Sequence, residues 1–184
     1  MFKTRKLQGE FDLLKSSSME LKSTRSLAGL GLLMAMNIIV GSLFIEINSY
    51  LRIGFSFLVV GICGYYYGPV STGVAGAAAD IIKYLLRPSG PFFPGFTLNE
   101  FIAGFITGII LYKKSVTMKR VFVTRLCVVV IVNIILTPLW LSVLYGKGIM
   151  VYVSARVIKN IILLPIDTIA LYGTLKSVSR VRAY

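Results

Sequence analysis

Histidine is absent from the sequence, and with it the side chain that most often carries acid–base catalysis and helps complete zinc sites. The two cysteines, Cys63 and Cys127, lie in separate apolar runs without the Cys-x-x-Cys spacing of metal or redox centres. That argues against a disulfide framework and leaves no metal-ligand set. Neither a G-x-x-x-x-G-K-S/T phosphate loop nor an H-E-x-x-H helix occurs. The chain is therefore expected to be no enzyme, with no catalytic residue and no cofactor, and to draw any energy from ATP through a partner. Acidic residues are scarce as well: 7 Asp plus Glu stand against 20 Lys plus Arg, a formal net charge of +13. In a soluble protein that balance would suggest nucleic acid. Here the cations sit in flanks and one loop between apolar blocks, where membrane proteins place residues facing the cytoplasm and its anionic lipid. The expected partner is a lipid bilayer, not nucleic acid.

What the sequence has in abundance is apolar residues, 56% of the chain, with a mean hydropathy of +0.81. They fall in blocks long enough to cross the ~30 Å of bilayer hydrocarbon. Six transmembrane helices are expected, over Leu27–Ile47, Ile53–Tyr67, Pro69–Leu86, Thr97–Tyr112, Val121–Leu144 and Val151–Leu175. The second and fourth reach only about 24 Å at the helical rise and need shielding by longer neighbours. The fold class is thus an all-α, multi-pass integral protein of the cell membrane. Its parts are a basic N-terminal segment over 1–26, a membrane domain over 27–177 and a basic tail over 178–184. The first apolar block is long and follows a mixed, charged segment, so it reads as a retained span and not a signal peptide.

An even number of spans puts both termini on one side, and the basic residues choose the side. Lys3, Arg5, Lys6, Lys15, Lys22 and Arg25 precede the first span. Lys113, Lys114, Lys119, Arg120 and Arg125 fall in the fourth loop region, and Lys176, Arg180 and Arg182 in the tail. Only Arg52, Lys83, Arg87 and Lys147 oppose them. Both termini are expected in the cytoplasm.

Ionisable residues inside spans are costly and tend to pair or to line a substrate path. Gly76, Asp80, Lys83 and Arg87 share one face of the third span by their i, i+4, i+7, i+11 spacing. Arg156, Lys159, Asn160 and Asp167 form a similar stripe in the sixth; Asn133, Thr137 and Trp140 lie on the fifth, and Thr97, Glu100, Gly104 and Thr107 on the fourth. Taken singly, each charge fits a structural ion pair, such as Asp80 with Lys83. Taken together, they leave positive charge for an anionic ligand in the outer half of the bundle. Asp167 lies about 17 Å along its helix from Arg156 and reads as an interhelical structural residue. The Arg87–Phe96 stretch, with three prolines and two glycines, is expected to be an irregular loop. Its phenylalanines fit either an interfacial anchor or, as preferred here, a cover over a bound apolar ring.

These residues carry a resemblance. Arg52-Ile-Gly-Phe-Ser-Phe57, Gly76-Ala-Ala-Ala-Asp80, Pro88-Ser-Gly90 with Phe93-Pro-Gly-Phe-Thr-Leu98, Leu139-Trp-Leu-Ser142 with Leu144-Tyr-Gly-Lys147, and Ala155-Arg-Val-Ile-Lys159 with Leu164-Pro165 occur in that order. Over roughly Ser26 to Lys176 the chain resembles the folate-specific substrate-binding component of energy-coupling-factor vitamin transporters. The resemblance implies a six-helix protein that binds vitamin on the outer face and docks on a transmembrane coupling subunit bearing two cytoplasmic ATPases. It is thought to topple in the bilayer to release cargo. The small-residue pattern that contacts the coupling subunit falls on Gly31 and Ala35; on spacing alone, such a pair also fits packing within the bundle. Where relatives often carry Asn-Thr before Leu-Trp, this chain has Thr137-Pro138. Met1 to Arg25 lie outside the resemblance.

Folate offers a flat pterin, a benzoyl spacer and a glutamate tail, so its site needs aromatic faces, pterin-edge partners and cations. The expected ligand-binding residues are Arg52, Asp80, Phe93, Phe96, Thr97, Glu100, Trp140, Tyr145, Arg156 and Lys159. Aromatic residues, Phe92 also being available, would stack the rings; Asp80 or Glu100 would accept from the pterin amino edge, and Arg52, Arg156 or Lys159 would meet the tail. Other readings fit the residues: a component for another vitamin or a modified-base precursor, a stand-alone proton-coupled carrier using Asp80, Glu100 or Asp167, or a ligand-free membrane scaffold.

Overall fold

The computed structural model describes residues 13–181 apart from 43, 49, 50, 89 and 147. Lys3, Arg5, Lys6, Lys147 and Arg182, used above to orient the chain, lie outside the described residues. A short helix, α1, spans 13–20. It is followed by α2 (Thr24–Ser42), β1 (Phe44–Asn48), β2 (Leu51–Gly54), α3 (Ser56–Leu86) and α4 (Pro94–Leu111). Then α5 (Met118–Val128) runs through a π-helical stretch, Val129–Leu136, into α6 (Thr137–Tyr145), and α7 (Ile149–Val181) closes the order. Helix dominates, as expected. The first predicted span, however, ends early: α2 stops at Ser42, and the alternating Phe44-Ile-Glu-Ile-Asn48 pairs antiparallel with β2, Ile45 opposite Ile53 and Glu46 opposite Arg52. The period-2 alternation of these residues directly follows the apolar run of α2, and the two merge in a hydropathy pattern.

Five helical stretches are long and apolar enough to cross a membrane, Thr24–Ser42, Ser56–Leu86, Pro94–Leu111, Met118–Tyr145 and Tyr152–Arg180. The predicted second and third spans are merged in α3. That helix is no straight rod, because Gly68 has φ 79° and ψ −173°. Thr72 Oγ1 donates to Cys63 Sγ at 3.5 Å, whereas nine residues of unbroken helix would separate them by about 13.5 Å along the axis. The chain folds back at Gly68, and α3 is a helical hairpin.

The turn is closed from a distant part of the chain. Pro69 has no N–H to lose at the start of the second arm, but Val70 and Ser71 have orphan donors there. Ser17 on α1, fully buried, supplies the cap. Its Oγ accepts from Val70 N at 3.1 Å and Ser71 N at 3.3 Å and donates to the Tyr67 carbonyl at 2.8 Å. Ser71 Oγ in turn donates to the Ser17 carbonyl at 2.7 Å. A Cβ on Gly68 would sit 2.8 Å from Ser17 Oγ and 3.0 Å from Tyr112 Cδ1 in addition to its left-handed φ.

The α3 hairpin packs most closely against α4, where small residues let the backbones meet. A Cβ on Gly108 would fall 2.4 Å from Pro69 Cα, and one on Gly104 would fall 2.6 Å from the Thr72 carbonyl oxygen. Leu111, Val121, Leu171 and Leu175 form the core at the end shared with the Gly68 turn. Tyr66 Oη also donates to the Val178 carbonyl there, at 3.3 Å. The N-terminal helix, the hairpin turn, the C-terminus of α4 and the C-terminal part of α7 therefore lie at one end of the bundle, and the loop before α4 lies at the other.

Two expectations are corrected at this level. Arg125 is not a loop charge. Thr117 caps α5 by accepting from Arg120 N, which starts the helix early and carries Arg125 into the bundle, where its guanidinium pairs with Asp167 of α7. It also lies 4.3 Å from the centroid of the Phe57 ring. The second correction is at the Arg87–Phe96 stretch, which is irregular only to Phe93. Pro94 opens α4, since its preset φ and missing N–H suit the first helical position.

Candidate functional site

At the end of the bundle opposite the Gly68 turn, α4 begins beneath an aromatic cluster. The Phe93 ring lies 5.9 Å from Phe96 and 5.6 Å from Trp140, measured between centroids. Gly95 makes room for them, because a Cβ there would fall 2.7 Å from Trp140 Cδ2. Phe92 is set apart: it is exposed and packs on Tyr84 of α3 at 5.1 Å, while Tyr84 Oη donates to the Gly90 carbonyl at 3.1 Å. The loop's aromatics thus divide, Phe92 pinning it to α3 and Phe93 turning into the bundle. Tyr145, the last residue of α6, is exposed, and its Oη lies 3.5 Å from the Cβ position of Gly90.

Polar groups adjoin these rings. Thr97 Oγ1 donates to Asp80 Oδ2 at 2.8 Å, tying α4 to the second arm of α3. Glu100 lies one turn further along α4, and its backbone oxygen is 2.9 Å from the Cβ position of Gly76. The Asp80–Lys83 pair suggested by spacing gives way to different partners. Asp80 turns to Thr97, and Lys83 Nζ donates to Asn37 Oδ1 of α2 in the space left by Gly41. The stripe on α3 therefore serves two neighbours, because it faces the crevice between α2 and α4.

The structure thus brings together Asp80, Phe93, Phe96, Thr97, Glu100 and Trp140. Arg156 and Lys159 stand on α7, which packs against α6. The Arg156 carbonyl accepts from Asn160 Nδ2 at 2.8 Å, and Asn160 Oδ1 accepts from Asn133 Nδ2 at 3.0 Å. Arg52 lies on β2 and its side chain is outside the described residues. Asp167, the third acid a proton relay would use, is engaged with Arg125. Sequence reasoning missed Asn99, which is buried beside the cluster and bonded to both Trp140 and Thr137. An Asn inside an apolar span is itself the signal, since it must find partners there. A small apolar cavity between α2 and the arms of α3, lined by Leu33, Asn37, Val59, Cys63, Thr72 and Gly76 among others, holds none of the expected ligand residues.

With this geometry in view, residues 25–174 match the family described as the ECF transporter, substrate-specific component. The chain belongs to that family. It is a transporter component, not an enzyme, and an integral membrane protein. This ECF component is 38% identical over 143 residues to a folate transporter FolT of Clostridium novyi (strain NT), covering 77% of this chain and 83% of that one. It is 31% identical over 150 residues to FolT of Leuconostoc mesenteroides, covering 78% and 80%. Among solved structures it is similar to a crystal structure of FolT bound with folic acid, with a TM-score of 0.76 and 41% identity over 82% of this chain and 92% of that one.

One further face of the ECF component is open. On α2 only Leu30 and Asn37 are buried, and both Gly31 and Ala35 are exposed, with nothing within 4 Å of a Cβ built on Gly31. Leu32 and Ile39 are also exposed, at 66% and 62%. The Gly31–Ala35 face is therefore not spent on packing within the bundle.

Proposed function

We propose that this chain captures folate on the outer face of the cell membrane and delivers it through a coupling subunit and two cytoplasmic ATPases. The observation that carries the reading is the likeness, in fold and sequence, to the folic acid-bound crystal structure, joined to a cluster whose chemistry suits the same ligand. Phe93, Phe96 and Trp140, with Tyr145 at the rim, offer aromatic faces to the pterin and benzoyl rings. Thr97 spends its proton on Asp80 Oδ2, so the carboxylate keeps its other oxygen to accept from a pterin amino group, with Glu100 one turn further in. Arg52, Arg156 and Lys159 provide cations for the glutamate carboxylates.

Orientation follows from the same arrangement. The described basic residues Lys15, Lys22, Arg25, Lys113, Lys114, Lys119, Arg120, Lys176 and Arg180 belong to the end that holds the Gly68 turn. By the positive-inside rule that end is cytoplasmic, with both termini, and the aromatic cluster is outside. The α3 hairpin then supplies two crossings and the bundle six. The open Gly31–Ala35 face of α2 is smooth enough for a helix of the coupling subunit.

Arg156 tests the site. A guanidinium–carboxylate pair in a poorly hydrated pocket typically loses about 2–5 kcal/mol when one partner is removed. Arg156→Ala is expected to weaken folate by that amount and to spare pteroate, which lacks the glutamate. Equal loss for both ligands would return Arg156 to a structural role.

A further inference from the structure

Trp140 is the single tryptophan of the chain, and its indole N–H is already committed. It donates to Asn99 Oδ1 at 3.0 Å. Asn99 Nδ2 donates to Thr137 Oγ1 at 3.1 Å, and Thr137 Oγ1 donates to the Val132 carbonyl at 2.7 Å. Every proton in this chain has one direction. Indole is a donor only, so Asn99 must turn its oxygen to Trp140. Its amino group then faces Thr137, whose hydroxyl proton is taken by Val132. Asn99 and Thr137 are both buried, so reversing the amide would leave the indole donor unmet in an apolar environment.

The local backbone explains the terminus of the relay. Pro138 lacks an N–H, and the turn before it is π-helical, the Thr137 N–H reaching Val132 O across five residues. The Val132 carbonyl collects both the Thr137 amide and the Thr137 hydroxyl. Thr137-Pro138 is thereby built into the support of Trp140.

We propose that Asn99 is a positioning residue that fixes the plane of Trp140 for stacking against the ligand's flat heteroaromatic ring. The inference rests on the folate reading. With its N–H held by Asn99, Trp140 contributes a ring face and no hydrogen bond, and Phe93 packs against the same ring from the α4 side. Selectivity for hydrogen-bonding edges then falls to the carboxylates, and Asn99 acts only through Trp140.

The test uses full-length chain in detergent, with folate as probe, in wild type, Asn99→Leu, Trp140→Phe and the double variant. The single indole N–H resonance in a ¹⁵N spectrum should move upfield in Asn99→Leu without any ligand present. Folate affinity should fall about three- to tenfold, the worth of one hydrogen bond, and the same substitution should have no effect in the Trp140→Phe background. Comparable losses in both backgrounds, or an unmoved indole resonance, overturn the proposal. If Asn99→Leu does not stay monodisperse, Thr137→Val carries the same comparison, with Thr137→Ser expected to restore both readouts. Wild type that binds no folate contradicts the folate reading and this role with it; a resonance that still moves shows that the Asn99–Trp140 bond was not the point of failure.

Discussion

Arg125 and Asp167 show what a single charge inside the bundle demands. Their side chains are 11% and 14% exposed, and Phe57 covers the guanidinium face. Removing one partner strands a charge in low dielectric, which typically costs about 3–5 kcal/mol. Arg125→Ala is expected to lower the thermal unfolding temperature in detergent by that equivalent, while replacing both residues with apolar ones of similar volume recovers most of it. A double variant no more stable than Arg125→Ala would deny the pair its structural role. The pair also shows why some of the bundle's internal pairing was hidden in the sequence. Position 125 followed a run of loop cations, and its partner lies 42 residues away, so no local spacing could place it. Asp167 was legible as structural because its distance along α7 separated it from Arg156.

At the scale of elements, the α3 hairpin depends on one backbone conformation and one side chain brought from α1. Gly68→Ala forces a Cβ into a left-handed position already bounded by Ser17 and Tyr112. It should destabilise the fold by about 1–3 kcal/mol, read as a lower unfolding temperature; an unchanged value would mean the turn is not strained as described. The Tyr67-Gly68-Pro69 turn was readable because glycine and proline punctuate a chain by local sterics. Its cap was not, since Ser17 is one serine among several in a segment with no apolar period. The β1–β2 hairpin was lost for the opposite reason, its alternation being masked by neighbouring apolar residues. The exposed face of α2 gives the second prediction at this scale. Gly31→Trp or Ala35→Trp should abolish uptake in cells and leave folate binding by the isolated chain intact. Equal loss of binding would make the face part of the bundle's own packing.

For the whole molecule, the proposed orientation puts the N-terminal helix, the hairpin turn and the C-terminal end of α7 on the cytoplasmic side. A cysteine introduced at Ser89 should react with an impermeant reagent added to intact cells, and one at Tyr184 should be protected; Cys63 is buried and Cys127 half-buried. The reverse pattern would invert the bundle. Fold class and most of the aromatic and acidic cluster were legible because span length, intramembrane charge and proline are local signals. The convergence of α3, α4 and α6 was legible only in outline, because it rests on glycine contacts and on Asn99. The central claim is that this assembly binds folate by itself, before any partner or ATP is involved. Equilibrium dialysis of the purified chain against radiolabelled folate tests it most directly. The expected result is saturable binding approaching one folate per chain, displaced by unlabelled folate and not by an unrelated vitamin; no saturable binding by a monodisperse, folded sample would contradict it.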